Sequence, residues 1–397
     1  SSFLGLKTAQ GNADGNGKGD FFYSPPSGYL ALCAANLDNT TIGPLQTTQA
    51  DDHFETTLYT SANPGAGGTQ NITNVNFQPD WVWLKNRDGT STEHTLYDSS
   101  RGAEKHVPTN TAAAERVTSQ YGYLSAFNSD GFTLTGGTTN ANYVAQGTQK
   151  YVAWNWKVNG GTTTTNDASA TSIGDIDSTI QADDTAGISI VLYEGTGSAG
   201  AIKHGLSAAP DVVLIFNRDQ GRERTVFHTE LGRLGQTYLS TTGAFSDNAG
   251  SFNDVAPTSS TFTVGTDQTT NESGQSFVAY CFTPIEGYSK FGRYTGNGNA
   301  AGTYVHLGFR PAWVMMKRNG SGGWHILDNK RAFEGNEIDV RLEADNADAE
   351  GTAGPPHTDF LSNGFRLTTS FDNMNASGEV HIYLAFAQQP FKYANAR

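Results

Sequence analysis

The 397 residues carry 25 Lys and Arg against 39 Asp and Glu, a net charge of −14, and no basic cluster is present, which argues against nucleic acid as a partner. No run of about 18 apolar residues occurs, so no membrane insertion is expected. Thr, Ser, Asn, Gly and aromatic residues are abundant while Met is scarce, the composition of an all-β chain.

The first residues, Ser1-Ser2-Phe3-Leu4-Gly5, show no charged leader and apolar core, so no signal peptide is expected in this stretch. Residues 11–19 alternate Gly, Asn and Asp and read as a turn. Asp14, Asn16 and Asp20 loosely resemble a calcium loop, but the later bidentate Glu is missing and a glycine loop is the better reading. A short aromatic strand, Phe21-Phe22-Tyr23, is stopped by Pro25 and Pro26. Residues 38–52 read as a polar linker. Cys33 and Cys281 are too few for a disulfide framework, so both are expected reduced and buried.

The next stretch sets the architecture. In Pro79-Asp80-Trp81-Val82-Trp83-Leu84-Lys85-Asn86-Arg87, Trp81 to Leu84 read as a strand buried on both faces, opened by a proline that cannot donate to a ladder, and Lys85 to Gly89 are expected to return the chain to solvent and a turn. The unit recurs as Pro210-Asp211-Val212-Val213-Leu214-Ile215-Phe216-Asn217-Arg218 and as Pro311-Ala312-Trp313-Val314-Met315-Met316-Lys317-Arg318. Tyr193 precedes Pro210 by 17 positions, as Tyr294 precedes Pro311; the spacing from Tyr59 to Pro79 is 20, with the excess in the loop around Pro64 and Gly65. In each copy a strand follows (Thr95 to Asp98, Thr225 to His228, His325 to Asp328), and a closing strand ends it. Those closing strands carry Ala153-Trp154, Ala279-Tyr280 and Ala385-Phe386, a small residue beside a large one, as where facing sheets approach closely. A helix is expected over residues 111–120, with Thr111 as N-cap. The expected organisation is an N-terminal extension and linker (1–52), repeat 1 (53–157), a Thr/Ser/Asp-rich linker (158–187), repeat 2 (188–287) and repeat 3 (288–397). The fold class is all-β: three tandem antiparallel β-sandwich, jelly-roll-like domains of about 100 residues joined by polar linkers.

The aromatic-Thr-Gly-rich loop, the turn Phe77-Gln78-Pro79-Asp80, the apolar strand, Leu96-Tyr97-Asp98-Ser99-Ser100-Arg101-Gly102 and Asp130-Gly131-Phe132 together resemble a repeat in tail-associated virion proteins of marine tailed bacteriophages. Repeat 2 lacks the Arg-Gly and Asp-Gly-Phe elements. Residues 1–37, with Tyr23-Ser24-Pro25-Pro26-Ser27-Gly28-Tyr29-Leu30-Ala31-Leu32-Cys33, look like the C-terminal edge of a SPRY-like, concanavalin-type module. The resemblance implies a virion setting, with other virion proteins as partners and a tail fibre or related appendage as the role. The alternatives are a carbohydrate-binding, lectin-like module that recognises a host-surface glycan, or a capsid decoration or head-fibre protein.

Candidate sites follow from residue types. His94, Asp98, Ser99, Ser100 and Arg101 hold the members of a Ser-His-Asp triad, but the repeats place Asp98 opposite His228 and Asp328, and His94 opposite Trp324, so no copy keeps the set. Asp80, Asp98, Glu115 and Asp130 are the acids available for glycoside cleavage, without spacing that brings two together. The nine His residues lack metal-ligand spacing. No catalytic, metal or cofactor site is expected, and no cofactor. Trp81, Trp83, Trp154 and Trp156 are expected in the core. Tyr121, Tyr123, Tyr143 and Trp324 sit among Gly, Ser and Asn and are the candidates for stacking on sugar rings. Because polar linkers would leave three domains swinging independently, a homo-oligomer is expected, a trimer in which neighbouring chains pin each linker.

Overall fold

Alternation along the central strand of each repeat decides how the molecule is built. In Trp81–Asn86, Trp81 and Trp83 point to one side and Val82 and Leu84 to the other, and all four are buried. The computed structural model describes residues 10–31, 42, 47–88, 92–117, 120–138, 143–332, 337–351 and 358–388. The chain divides after Thr40 into two compact units.

The first unit is held by carboxylates. One oxygen of Asp14 accepts the amides of Asn16 and Lys18 (2.9 and 2.8 Å), and the other accepts that of Ala31 (2.7 Å). Asp20 accepts the amides of Gln10 and Gly11, both at 2.8 Å. With these oxygens turned toward backbone donors, Asp14 and Asp20 cap turns, as the glycine-loop reading requires. The aromatic strand expected at Phe21 reduces to a single bridge with Asn12. Cys33 lies outside the described residues; Cys281 is a buried free thiol.

The second unit is all-β, and each repeat is an antiparallel sandwich. In the large sheet of repeat 1 the closing strand Lys150–Trp156 lies between the opening strand Phe54–Thr60 and the central strand Trp81–Asn86, and the return strand Thr95–Asp98 flanks the latter. Repeat 2 orders Ile188–Glu194, Ser276–Phe282, Val212–Asn217 and Thr225–His228 identically. Repeat 3 does the same with Ser289–Thr295, Val380–Ala387, Pro311–Arg318 and His325–Asp328. A smaller sheet covers one face; in repeat 1 it is Thr69–Ile72, Gly131–Thr135 and Tyr123–Asn128. Gly131 has φ +150°, and a Cβ there would stand 2.0 Å from the Ile72 carbonyl oxygen, so the turn between the two hairpin strands admits no side chain.

The other face of each large sheet turns toward the other two repeats. Trp81, Trp83, Trp154 and Trp156 meet Tyr280 and Phe282 of repeat 2 and Trp313 and Phe386 of repeat 3 in one core. Trp81 lies 4.9 Å from Tyr280, and Trp156 lies 5.7 Å from Trp313 and 5.5 Å from Phe386, ring centre to ring centre. Such aromatic pairs contribute about 0.5–1.5 kcal/mol each beyond the area they bury. The wholly apolar central strand is thus apolar because its two faces serve two cores.

Contacts between repeats run head to tail and close a ring. The Glu115 amide of repeat 1 donates to the Arg218 carbonyl of repeat 2 (2.7 Å), the Phe245 amide of repeat 2 to the Asn319 carbonyl of repeat 3 (3.0 Å), and the Glu350 amide of repeat 3 to the Arg87 carbonyl of repeat 1 (2.9 Å). At the end of each return strand, Tyr280 Oη donates to Asp98 (2.7 Å), Trp154 Nε1 donates to Asp328 (3.0 Å), and His228 Nε2 lies 3.3 Å from the Tyr383 carbonyl oxygen. Head-to-tail contacts that return to the first subunit define a closed cyclic arrangement, here inside one chain.

Three expectations change. Residues 158–187 are not a coreless linker: Thr164–Asn166 and Ser178–Asp183 add two strands to the large sheet of repeat 2, and Gln181 is fully buried with its amide satisfied by Ser99, Ser100 and the amides of Asn159 and Gly161. In the 38–52 segment, Ile42 is fully buried in the shared core and Ala50–Asp52 forms a 3₁₀ turn; residues 38–41 and 43–46 lie outside the described residues. The helix over 111–120 is absent: residues 111–115 are irregular and Arg116–Val117 is a strand, because the Glu115 main chain and carboxylate are both engaged by repeat 2. Tertiary contacts override a weak local preference. Among the described residues, α-helix occurs only as four-residue turns such as Ala168–Thr171.

Register also corrects one alignment. Trp81, Val212 and Trp313 lie opposite Asp98, His228 and Asp328, as expected. The closing-strand residues opposite Trp81, Val212 and Trp313 are Trp156, Phe282 and Phe386, which makes Tyr383, not Ala385, the counterpart of Ala153 and Ala279. Ala385 is buried all the same. In repeat 3 the small residue has moved to the opposite strand: Gly292 faces Tyr383 where Thr57 faces Ala153 and Val191 faces Ala279.

Candidate functional site

The residues that read as a triad are kept apart and wired for structure: His94 precedes the strand Thr95–Asp98 and Ser99 follows it. His94 is fully buried and its Nδ1 accepts the indole N–H of Trp83 at 2.9 Å. Burial holds its pKa well below the usual imidazole value, so it stays neutral. Ser99 Oγ donates to Asp80 at 2.7 Å, and the other Asp80 oxygen accepts the amides of Val158 and Gly160. No Ser–His contact forms. Asp98 is bound by Arg101 Nε at 2.5 Å, and Arg101 also reaches Glu115 (2.9 Å) and the Leu96 carbonyl (3.0 Å).

Repeat 3 builds the same device. Arg331 Nε meets Asp328 at 2.5 Å, its Nη1 meets Glu350 at 3.1 Å, its Nη2 meets the Ile326 carbonyl at 3.0 Å, and its guanidinium lies over the Trp154 ring. Glu115 and Glu350 each bind a second arginine, Arg218 and Arg87, across a repeat boundary. Burial opposes ionisation of Glu115, but Arg218 and Arg101 hold its carboxyl down to about 2. A general acid needs the reverse, a carboxyl raised toward neutrality, so Glu115 is not poised as the acid of a glycosidase pair. Asp80 is buried at its own loop and Asp130 is exposed in the turn before Gly131.

Buried cations seal the same boundaries. Lys85 Nζ donates to the Thr92 and Ala347 carbonyls (2.7 and 2.9 Å), and burial lowers its pKa to about 7. Repeat 2 has Phe216 at that position, and Arg224 lies over its ring and donates to the Pro108 carbonyl of repeat 1 (3.0 Å). Lys85 and Asn86, expected to return the strand to solvent, are instead fully buried, because their polar groups find partners inside the protein, and the sequence reading passed over Arg224 and Lys317. The signal for Lys85 and Lys317 was a charged residue ending an apolar strand at the same offset from Pro79 and Pro311.

The proposed sugar-stacking residues divide. Trp324 is fully buried and donates its indole N–H to the Tyr238 carbonyl of repeat 2 at 2.9 Å, so it offers no surface. Its Gly and Ser neighbours mark a turn, but the side chain enters the adjacent repeat. Tyr121 and Tyr143 come together, ring centres 4.9 Å apart and tilted by 38°, both half-buried. Beside them Arg116 Nη1 bonds Glu93 (2.7 Å) and reaches Tyr143 Oη (3.3 Å). Burial, then the nearby Glu93 charge, pushes the Tyr143 hydroxyl up to about 12. Tyr123 is half-buried on the neighbouring strand Tyr123–Asn128 and packs with Tyr143 against the repeat-1 core.

Two clefts flank the two added strands. One, of about 440 Å³, includes Asp52, His53, Lys157 and Asp183; another, of about 630 Å³, includes Asp175, Asp177, Glu194 and Arg218. Both are open and polar. Among the described residues, no group of His, Cys, Asp and Glu is arranged to hold a metal ion, and no helix is long and apolar enough to cross a membrane. His357 lies outside the described residues.

One sequence signature, described as a domain of unknown function (DUF7483), matches residues 49–390. The chain belongs to that family. The DUF7483 match covers all three repeats as one domain, which agrees with the single compact unit that they form. No curated protein matches the sequence.

Proposed function

We propose that this chain is a structural protein of a tailed-bacteriophage virion, a tail fibre or related appendage that contributes to host-surface attachment. The observation that carries the reading is the use made of its strongest acids and bases. Asp98, Arg101, Glu115, Arg218, Asp328, Arg331, Glu350 and Arg87 tie repeat to repeat; Arg218 also lines the larger of the two clefts described above, but its guanidinium is held there by Glu115. A molecule organised this way resists deformation and presents loops; it is read as non-enzymatic. The resemblance of the repeats supplies the virion setting and other virion proteins as partners. Immunogold labelling of purified particles with antibody against residues 41–397 tests it: label on tails or their appendages supports the fibre, label on capsids moves the protein to a head fibre or decoration, and no label on any particle overturns the proposal.

A second reading, recognition of host glycan, rests on the Tyr121–Tyr143 pair with Arg116 and Glu93 beside it. On a glycan array the wild-type protein is expected to bind and Tyr143→Ala to lose binding, stacking being worth on the order of 1 kcal/mol per ring. Reducing-end release from capsular polysaccharide would instead identify a depolymerase. Self-association belongs to the proposal too. The case for three copies, however, assumed independent domains that need pinning, and the shared core removes that need.

A further inference from the structure

The opening strand is the outermost strand of the large sheet in repeats 1 and 3, and the three repeats treat this edge in three ways. In repeat 2 the chain covers it with its own strand, Ser178–Asp183, in continuous antiparallel register with Ile188–Glu194. In repeat 3 the edge is Ser289–Thr295, blunted by Lys290, Gly292 and an exposed Arg293. Charged side chains and a covering strand are the devices by which sheets avoid edge-to-edge pairing. Repeat 1 has no covering strand among the described residues and a single charged residue on the edge. Its edge, Phe54–Thr60, reads Phe-Glu-Thr-Thr-Leu-Tyr-Thr, holds an unbroken register with Lys150–Trp156, contains no Pro or bulge, and among the described residues pairs with nothing on its outer side. Its one charge, Glu55, is matched by Lys330 at 3.0 Å.

Leu58 marks the bare position. By register it corresponds to Leu192 and Arg293. Leu192 lies opposite Thr179 of the covering strand and is partly buried against the shared core. Leu58 is 38% exposed. The Ser61 amide bonds the Gln149 carbonyl and the Lys157 amide bonds the His53 carbonyl, so the odd-numbered residues face the closing strand. The backbone groups of Thr56, Leu58 and Thr60 therefore face outward.

We propose that a second copy of this chain docks on this edge, the two Phe54–Thr60 strands pairing antiparallel about a twofold axis at Leu58. The strand is self-complementary in that register. Leu58 pairs with Leu58 and Thr56 with Thr60, hydroxyl and apolar partners at every hydrogen-bonded position and no like charges opposed. Gln70 Nε2, which now donates to the Thr60 carbonyl at 2.9 Å, leaves that oxygen's second lone pair free. Glu55 is matched by Lys330, Lys150 stands opposite Thr60, and Asp51 and Asp52 precede the strand, so charges of both signs surround the edge where the copies meet.

Sedimentation velocity at micromolar concentration, with a Leu58→Lys variant and a disulfide trap, tests this. Wild type is expected to approach twice the 42.4 kDa chain mass, and Leu58→Lys to return to one chain with an unchanged melting temperature. In a Cys33→Ser background, Leu58→Cys should form a disulfide dimer on mild oxidation, since hydrogen-bonded antiparallel partners have Cα atoms about 5.5 Å apart, within disulfide reach. Tyr304→Cys, exposed in repeat 3, should not. A monomer throughout, an oligomer that survives Leu58→Lys, or equal cross-linking from Tyr304→Cys overturns the proposal.

Discussion

Exchanging the Gly292–Tyr383 pair of repeat 3 for the Val191–Ala279 pair of repeat 2 tests whether the repeats are copies at the level of packing. The positions are equivalent by register, and in each repeat one large and one small residue share the space. A Cβ added at Gly292 would stand 2.7 Å from Tyr383 Oη and 3.0 Å from Cζ, distances that side-chain carbons do not tolerate. Gly292→Val alone must therefore displace the tyrosine ring, an overpacking cost of about 1–3 kcal/mol. Tyr383→Ala alone removes a ring that is only 3% exposed and leaves a cavity, costing about 3–5 kcal/mol. In the double variant the valine occupies part of the vacated volume, so the two losses should not add. A coupling of about 1–3 kcal/mol in its favour is expected for residues in direct contact. Urea unfolding of wild type, both single variants and the double variant closes the cycle. If the losses add to within about 0.5 kcal/mol, the two side chains do not share one space and the compensation argument fails.

Two further outcomes follow from the boundary networks. Arg331→Met should destabilise by about 3–5 kcal/mol, because Asp328 would stay buried with only uncharged donors, whereas Asp328→Asn combined with Arg331→Met should lose less; thermal unfolding of both variants checks the order. Stability should also follow pH at both ends. Glu115, held down to about 2 from an ordinary 4.5, contributes above pH 4.5, and that contribution is lost as pH falls toward 2. Lys85, lowered to about 7 from 10.5, binds its proton less readily folded than unfolded, so stability should rise from pH 7 toward 10.5. Unfolding midpoints against pH for wild type, Glu115→Gln and Lys85→Met should show the acid limb flattened in the first variant and the alkaline rise in the second.

Much of this fold was legible as repetition. The proline-led strands, the Tyr-to-Pro spacing and the alignment of Asp98 with His228 and Asp328 gave three copies of one sandwich, and the structure keeps each of them. What the copies do to one another was not legible, because a strand buried on both faces looks the same whether its second face meets its own sandwich or a neighbour. Trp81 and Trp83 illustrate this: their burial was expected, their contact with Tyr280 and Trp313 was not. The 158–187 segment was misread for a different reason. Gln181 and Ser178 are buried by hydrogen bonding rather than hydrophobicity, so a strand that belongs to the interior carries a surface composition. Its length was the available signal, since repeats 2 and 3 abut without such an insertion. Trp324 was placed outside because its neighbours are turn residues, although a turn constrains the backbone and says little about where an indole goes.

The ring of unequal repeats bears on how far association can proceed. Three identical chains around an axis would carry three identical edges, and an edge bare in one would be bare in all. Such a particle, pairing strand to strand, would link into a network without limit. Fusing the copies into one chain lets each edge be settled separately: Ser178–Asp183 covers the second, Arg293 and Gly292 guard the third, and, among the described residues, Phe54–Thr60 has neither device. A single self-complementary edge pairs once about a twofold axis and is then used up, so growth stops at two copies. Uncovering a second edge should remove that limit. Deleting the Ser178–Asp183 strand, or replacing Arg293 by Leu and Lys290 by Thr, should turn the dimer into an open-ended aggregate, and Leu58→Lys in the same background should cap its growth again.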